Sequence, residues 1–140
     1  MSELTRLRED HAKLARLFGT LGHVIERREP PPQVELFEVR RELMGTLIAH
    51  LKLEDWALYP RLIESGDAQM SETGTAFKDE MGGLAPAFIA YCDKWNAPAI
   101  AADWAGYCSD TRAILDALLN RLTRENRDLL PLIERLDRVA

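Results

Sequence analysis

No stretch of this 140-residue sequence runs 18 apolar residues long, so no membrane-spanning helix is expected, and no membrane partner. The opening segment MSELTRLRED is charged and has no apolar signal core, which predicts no export. Only two cysteines are present, Cys92 and Cys108, too few for a disulfide scaffold, and the cytoplasm is the natural compartment for such a chain. Basic residues are scattered rather than banded and the formal net charge is -5, which argues against a nucleic-acid partner. Strand-like alternation is missing as well. Hydrophobic residues make up 46% and charged residues 29%, the balance of an ordinary globular protein, and the length predicts one domain over residues 1–140.

What the sequence does have is helical spacing. Leu4, Leu7, His11, Leu14, Phe18, Leu21 and Ile25 advance by alternating threes and fours, the stripe of a bundle helix, with Ser2 as its expected N-cap. The run EPPPQ at 29–33 ends it, because proline has no amide donor and fixes its own φ. A second stripe carries Leu36, Val39, Leu43, Leu47, His50, Glu54 and Leu58. By composition, ESGDAQMSETG at 64–74 is expected to be a loop. A third stripe carries Phe77, Met81, Leu84, Phe88, Tyr91 and Trp95, with Gly82 and Gly83 weakening the helix and Pro86 expected to kink it. NAPA turns the chain, and a fourth stripe runs through Trp104, Cys108, Thr111, Leu115, Leu118, Leu122, Glu125, Leu129 and Leu132. Four helices of about 25 residues, each about 37 Å long, predict an all-α, up-down-up-down antiparallel four-helix bundle.

His11, His50, Glu54 and Glu125 fall where apolar core residues belong. A buried carboxylate is costly unless it is paired or bound to a metal, so these positions require a cause. The chain also repeats itself. HLKLEDWALYP (50–60) aligns with RLTRENRDLLP (121–131), matching Leu51 to Leu122, Glu54 to Glu125, Leu58 to Leu129 and Pro60 to Pro131, an offset of 71 (125 minus 54). EDHAKLA (9–15) aligns with DEMGGLA (79–85) at an offset of 70 (81 minus 11), placing His11 over Met81. Two helix hairpins of common design give this pattern. The first half offers His11, His50 and Glu54; the second offers Met81, Arg121 and Glu125 in the matching places.

The pattern resembles the hemerythrin-like HHE family of cation-binding four-helix bundles. It does so through His11 in EDHAKLARL, His50 and Glu54 in HLKLEDWALYP, and Glu125 in RENRDLLP, and the likeness covers essentially the whole chain. Helix two fits the family motif fully. Helix four keeps the Glu and the Pro but has Arg121 for the His and Leu130 for the Tyr, and helix three has Met81 where the family has His. The resemblance implies two irons bridged by two carboxylates, one on His11 and His50, the other needing ligands at 81 and 121. Met81 is a poor ligand for such an ion and Arg121 has no lone pair to give, so the second half-site is read as abolished.

Two states follow, and sequence leaves both open. In one, a single iron or zinc ion sits on His11, His50, Glu54 and Glu125 while the Arg121 charge replaces the second ion. In the other there is no metal, and Arg121 with a protonated histidine pairs with the two glutamates. Heptad phase puts Arg121 on a flank, whereas the 3.6-residue period lets 118, 121 and 125 share a face. His23 reads as a surface residue. Cys92 and Cys108 read as buried, inert thiols, with a redox pair as the alternative. Tyr91, Trp95, Trp104 and Tyr107 read as a core cap that also suits a protein partner or a homodimer. No catalytic acid, base or substrate pocket can be named, so a non-enzymatic metal, redox or oxygen sensor or regulator is expected. The alternatives are a metal-free interaction module and, lowest, a one-iron oxidase or peroxidase.

Overall fold

In a computed structural model residues 3–139 are described, Val139 by its backbone alone; Ser2, the expected cap of the first helix, lies outside them. The first rod is α1 (Glu3–Val24). The second is α2 (Gln33–Leu53), a widened turn at Glu54–Leu58, and α3 (Tyr59–Ile63). The third is α4 (Ala68–Met81) and α5 (Leu84–Lys94). The short α6 (Ala97–Ala102) leads to the fourth, which is α7 (Trp104–Arg124), a second widened turn at Glu125–Leu129, and α8 (Leu130–Val139). α1 packs on α2, α7 and α8, α3 on α4, and α5 on both α2 and α7, closing the four-helix bundle that the stripes predicted.

The two widened turns have one cause. In each, an N–H bonds to the carbonyl five residues back: Tyr59 to Glu54, and Leu130 to Glu125. Each is followed at once by a proline, Pro60 or Pro131, which has no N–H and whose ring crowds the carbonyl four residues earlier. The helix opens by one residue to make room, a π-turn, and continues. The repeated Glu and Pro therefore encode a repeated backbone irregularity.

Three expectations are corrected. The loop over 64–74 is confined to Glu64–Asp67: Asp67 Oδ1 accepts the Met70 N–H at 3.0 Å and starts α4 at Ala68. The polar run that read as a loop is the outer face of a helix whose buried side holds Met70, Gly74 and Phe77. The third helix breaks at Gly82–Gly83 rather than at Pro86, which sits in the first turn of α5, where its missing N–H costs nothing. A Cβ at Gly82 would stand 2.6 Å from the Lys78 carbonyl, so the break needs a glycine. Finally, NAPA is a helix start rather than a plain turn, with Asn96 Oδ1 accepting the Ala99 N–H at 3.0 Å.

The apolar stripes form two cores. One holds Leu14, Phe18, Leu43, Leu47, Phe88, Tyr107 and Leu118; the other holds Leu7, Leu58, Tyr59, Leu62, Phe77, Leu129 and Ile133. Between them lie the buried polar residues His11, His50, Glu54, Arg121 and Glu125. α3 and α4 approach closely enough that a Cβ on Gly74 would meet Leu62 Cβ at 3.0 Å and the Tyr59 carbonyl at 3.2 Å. Gly74→Leu is therefore expected to lower stability by about 1–3 kcal/mol through overpacking, read as a lower urea midpoint with an unchanged slope.

Candidate metal centre

Three of the four rods place the candidate ligands, the second supplying two of them. α1 supplies His11, α2 supplies His50, and the two widened turns supply Glu54 and Glu125 as their first residues. All four are buried, and one donor atom from each lies within 4.8 Å of the others. His11 Nε2 is 3.1 Å from His50 Nε2 and 3.4 Å from Glu125 Oε1, and His50 Nε2 is 2.5 Å from Glu54 Oε1.

The outer nitrogens fix the tautomers. His50 Nδ1 lies 3.1 Å from the Asp10 carboxylate, which accepts only, so Nδ1 carries the proton and donates it. His11 Nδ1 donates in the same way to Asn126 Oδ1 at 2.6 Å. Both Nε2 lone pairs then face the centre. Carboxylate or amide support behind the histidine is the usual arrangement of a metal-binding imidazole. Neither Glu54 oxygen has a hydrogen-bond partner among the described residues. Two lone-pair nitrogens and a carboxylate oxygen at 2.5–3.1 Å require a proton or a cation among them. The donor set of two imidazoles and two carboxylates suits zinc or ferrous iron, so the residues present fit such an ion. A cavity of about 10 Å³ borders His50, Glu54, Glu125 and Arg121 on the side of Leu14, Phe18, Leu47 and Leu118.

Arg121 faces inward and is 2% exposed, which resolves the helical phase in favour of the 3.6-residue period. Its Nε donates to Glu125 Oε2 at 3.3 Å and its two Nη groups to the Met81 carbonyl at 2.9 Å and to Asp55 Oδ1 at 3.1 Å. Glu54 Oε1 lies 3.8 Å away, and the guanidinium stands 5.4 Å from the centre of the Tyr59 ring. The Met81 carbonyl is one of the orphan acceptors at the end of α4, so the guanidinium caps that helix as well as balancing the acids. The Met81 side chain is buried in the apolar core beside Phe77.

The two glutamates are not alike. Burial pushes the Glu54 carboxyl well above its ordinary range, and the Glu125 charge pushes it further. Burial works against ionisation of Glu125 too, but contacts with Glu54, His11, Arg121 and Tyr59 outweigh it and hold Glu125 down at about 2. Tyr59 contributes by donating its hydroxyl to Glu125 Oε2 at 2.5 Å. Without metal, Glu54 therefore holds a proton more readily than Glu125 does.

The structure brings together the four residues that the sequence analysis named as candidate ligands and sets Arg121 against them; the sequence analysis did not name Asp10, Asp55, Tyr59 or Asn126. A signal for two of these was available. Asp55 and Asn126 are partners in the internal repeat, at the same offset of 71 (126 minus 55). Each follows a site glutamate. Asn126 supports His11; Asp55, whose counterpart histidine is replaced by Met81, takes Arg121 instead. His23 is exposed, as expected. Cys92 and Cys108 are free thiols, and burial raises the pKa of both, which makes them poor nucleophiles.

A family model described as the hemerythrin HHE cation binding domain matches residues 2–133. No curated protein and no solved structure matches the chain.

The proton on Glu54 has a measurable consequence in the chelated, metal-free protein. The unfolded chain releases this proton near 4.5, while the folded protein keeps it to higher pH. The folded state therefore binds more protons above that value, and stability falls as pH rises, by about 1.4 kcal/mol per pH unit for one proton, until the folded pKa is passed. Glu54→Gln is expected to remove this slope and to be more stable than the parent at pH 7. Denaturant unfolding at pH 5 and pH 7 measures both; a less stable Gln variant at pH 7 would refute the assignment.

Proposed function

Because the chain belongs to the hemerythrin HHE cation-binding family, we propose that it holds one divalent ion, iron or zinc, on His11, His50, Glu54 and Glu125, and works as a non-enzymatic sensor or regulator of metal, redox or oxygen status. One observation carries this reading: both imidazoles turn a lone pair on Nε2 toward two glutamates, one of which has no hydrogen-bond partner among the described residues, while their outer nitrogens are held by Asp10 and Asn126. When bound, a ferrous ion would supply a redox-active centre and a zinc ion a structural one.

The rest of the reading rests on what this chain's own residues do. Arg121 supplies one fixed positive charge where a second ion would otherwise be needed, and its bonds to Glu125, Asp55 and the Met81 carbonyl leave that position filled. Its charge is held firmly. Burial opposes it, but Glu54, Tyr59, Glu125 and Asp55 together push its pKa above the ordinary value. A site that takes one ion while Arg121 fills the place of a second suits sensing rather than turnover. A protein partner or a second copy of the chain would receive the signal.

A second reading has its own support. With Glu54 protonated, the 2.5 Å contact to His50 is a hydrogen bond, and Arg121 neutralises Glu125. The bundle then stands as a metal-free regulatory or interaction module.

Metal analysis after anaerobic ferrous loading separates the two. One ion per chain is expected for the parent and none for His50→Ala. Two ions per chain would refute the role given to Arg121, and none in the parent would leave the metal-free module. In the same titration Asp10→Ala is expected to weaken binding by about 10–100-fold, the usual cost of losing the group behind a ligating histidine.

A further inference from the structure

At the end of the bundle away from this centre, a cleft of about 410 Å³ opens between the Pro30–Pro31 turn, the first turns of α2, and α6. Its floor is apolar, formed by Leu36, Phe37 and Ile100. Its polar lining is limited to Gln33, Arg40 and Asn96, with no acidic residue among them. A concave apolar site of this size with a few converging polar groups is the usual form of a small-molecule site.

Arg40 is the informative residue. It is half-buried, and among the described residues it makes no hydrogen bond and no ion pair. Its guanidinium instead lies over the Tyr107 ring, 5.6 Å from the centroid. The Tyr107 hydroxyl is itself buried and has no hydrogen-bond partner among the described residues. The Asn96 carbonyl oxygen is spent on capping α6, which leaves its NH₂ as a donor. In a chain of net charge -5, this cleft presents a cation and amide donors over a hydrocarbon floor. A guanidinium matches a carboxylate with two parallel N–H···O bonds, and a half-buried charge gains most from such a partner.

We propose that this cleft binds a small amphiphilic carboxylate, an aromatic or short-chain acyl acid. Its apolar part rests on Leu36, Phe37 and Ile100, and its carboxylate meets Arg40. The site is separate from the metal centre. Arg40 precedes His50 by ten residues on α2, about 15 Å along the helix, so the two sites share an element but no ligand.

Calorimetric titration with octanoate and with 1-octanol, on the full chain, tests the proposal. Saturable one-to-one binding of octanoate is expected, with the alcohol at least about tenfold weaker. Arg40→Gln should weaken octanoate at least about tenfold, Arg40→Lys should retain part of the affinity, and Ala101→Trp, which fills the cleft from an exposed position, should abolish it. Helical circular dichroism confirms that each variant is folded. Glu54→Gln should bind octanoate like the parent, so loss of the metal reading leaves this one standing. No saturable binding at millimolar octanoate, equal affinity for the alcohol, or unchanged binding in Arg40→Gln would overturn the proposal. A parent that sediments as a dimer and is dissociated by Ala101→Trp would assign the cleft to a second copy of the chain and overturn it as well.

Discussion

Two carboxylates buried between two hydrocarbon cores are the constraint on which this structure turns. Glu54 and Glu125 are each 1% exposed, and neither can ionise there unaided. Everything near them answers that problem. Arg121 brings a permanent positive charge, Tyr59 a hydroxyl donor, and His11 and His50 lone pairs or a proton. The asymmetry between the two glutamates follows from who reaches them. Glu125 has Arg121 and Tyr59 in direct hydrogen bonds, whereas Glu54 has a guanidinium only at 3.8 Å. The weakly supported carboxyl is the one left to hold a proton or bind an ion. Removing a single partner from such a network is costly, since it strands an unpaired buried charge.

The protein solves the placement of these acids twice with one local device. A glutamate followed six residues later by proline opens the helix by one residue, at 54–60 and again at 125–131. Opening the helix brings successive inward positions together, so Leu58 and Tyr59, or Leu129 and Leu130, are both buried. At the first turn this delivers a tyrosine hydroxyl to the acid of the opposite turn. At the second, Leu130 stands in the equivalent place and has no hydroxyl to give Glu54 in return. A substitution outside the ligand set thus accounts for part of the inequality between the glutamates.

Much of this was legible in the sequence because it depends on periodicity. The stripe through Leu4, Leu7, His11 and Leu14 is buried at every step, and the polar residues that interrupt the stripes meet in one buried cluster. What periodicity cannot read is direction and composition-blind packing. The position of Arg121 depended on whether 3.5 or 3.6 residues close a turn, a difference that only the packed bundle decides. The segment at 68–74 looked like a loop because its outward residues are polar and its inward one at 74 is glycine, chosen for close approach to α3 rather than for flexibility. Asp10, Asp55 and Asn126 carry no stripe signal because they stand beside the stripe, behind the residues they orient. The repeat held the clue for Asp55 and Asn126, and Tyr59 was visible only as a letter in the motif around Pro60.

The polar layer between the two cores also acts as a vernier for the helices. Above it lie Leu14, Leu47 and Leu118; below it lie Leu7, Leu58 and Leu129. Leucine stripes by themselves tolerate sliding, since one leucine replaces another after each turn of about 5.4 Å. A rod displaced by one turn here would drive a glutamate or a guanidinium into hydrocarbon and leave its partners facing leucine. The interlocked charges therefore mark a single alignment of four otherwise interchangeable rods, and they do so whether or not an ion is present. This alignment mark, with Arg121 at its centre, gives the layer a structural reason to stay polar.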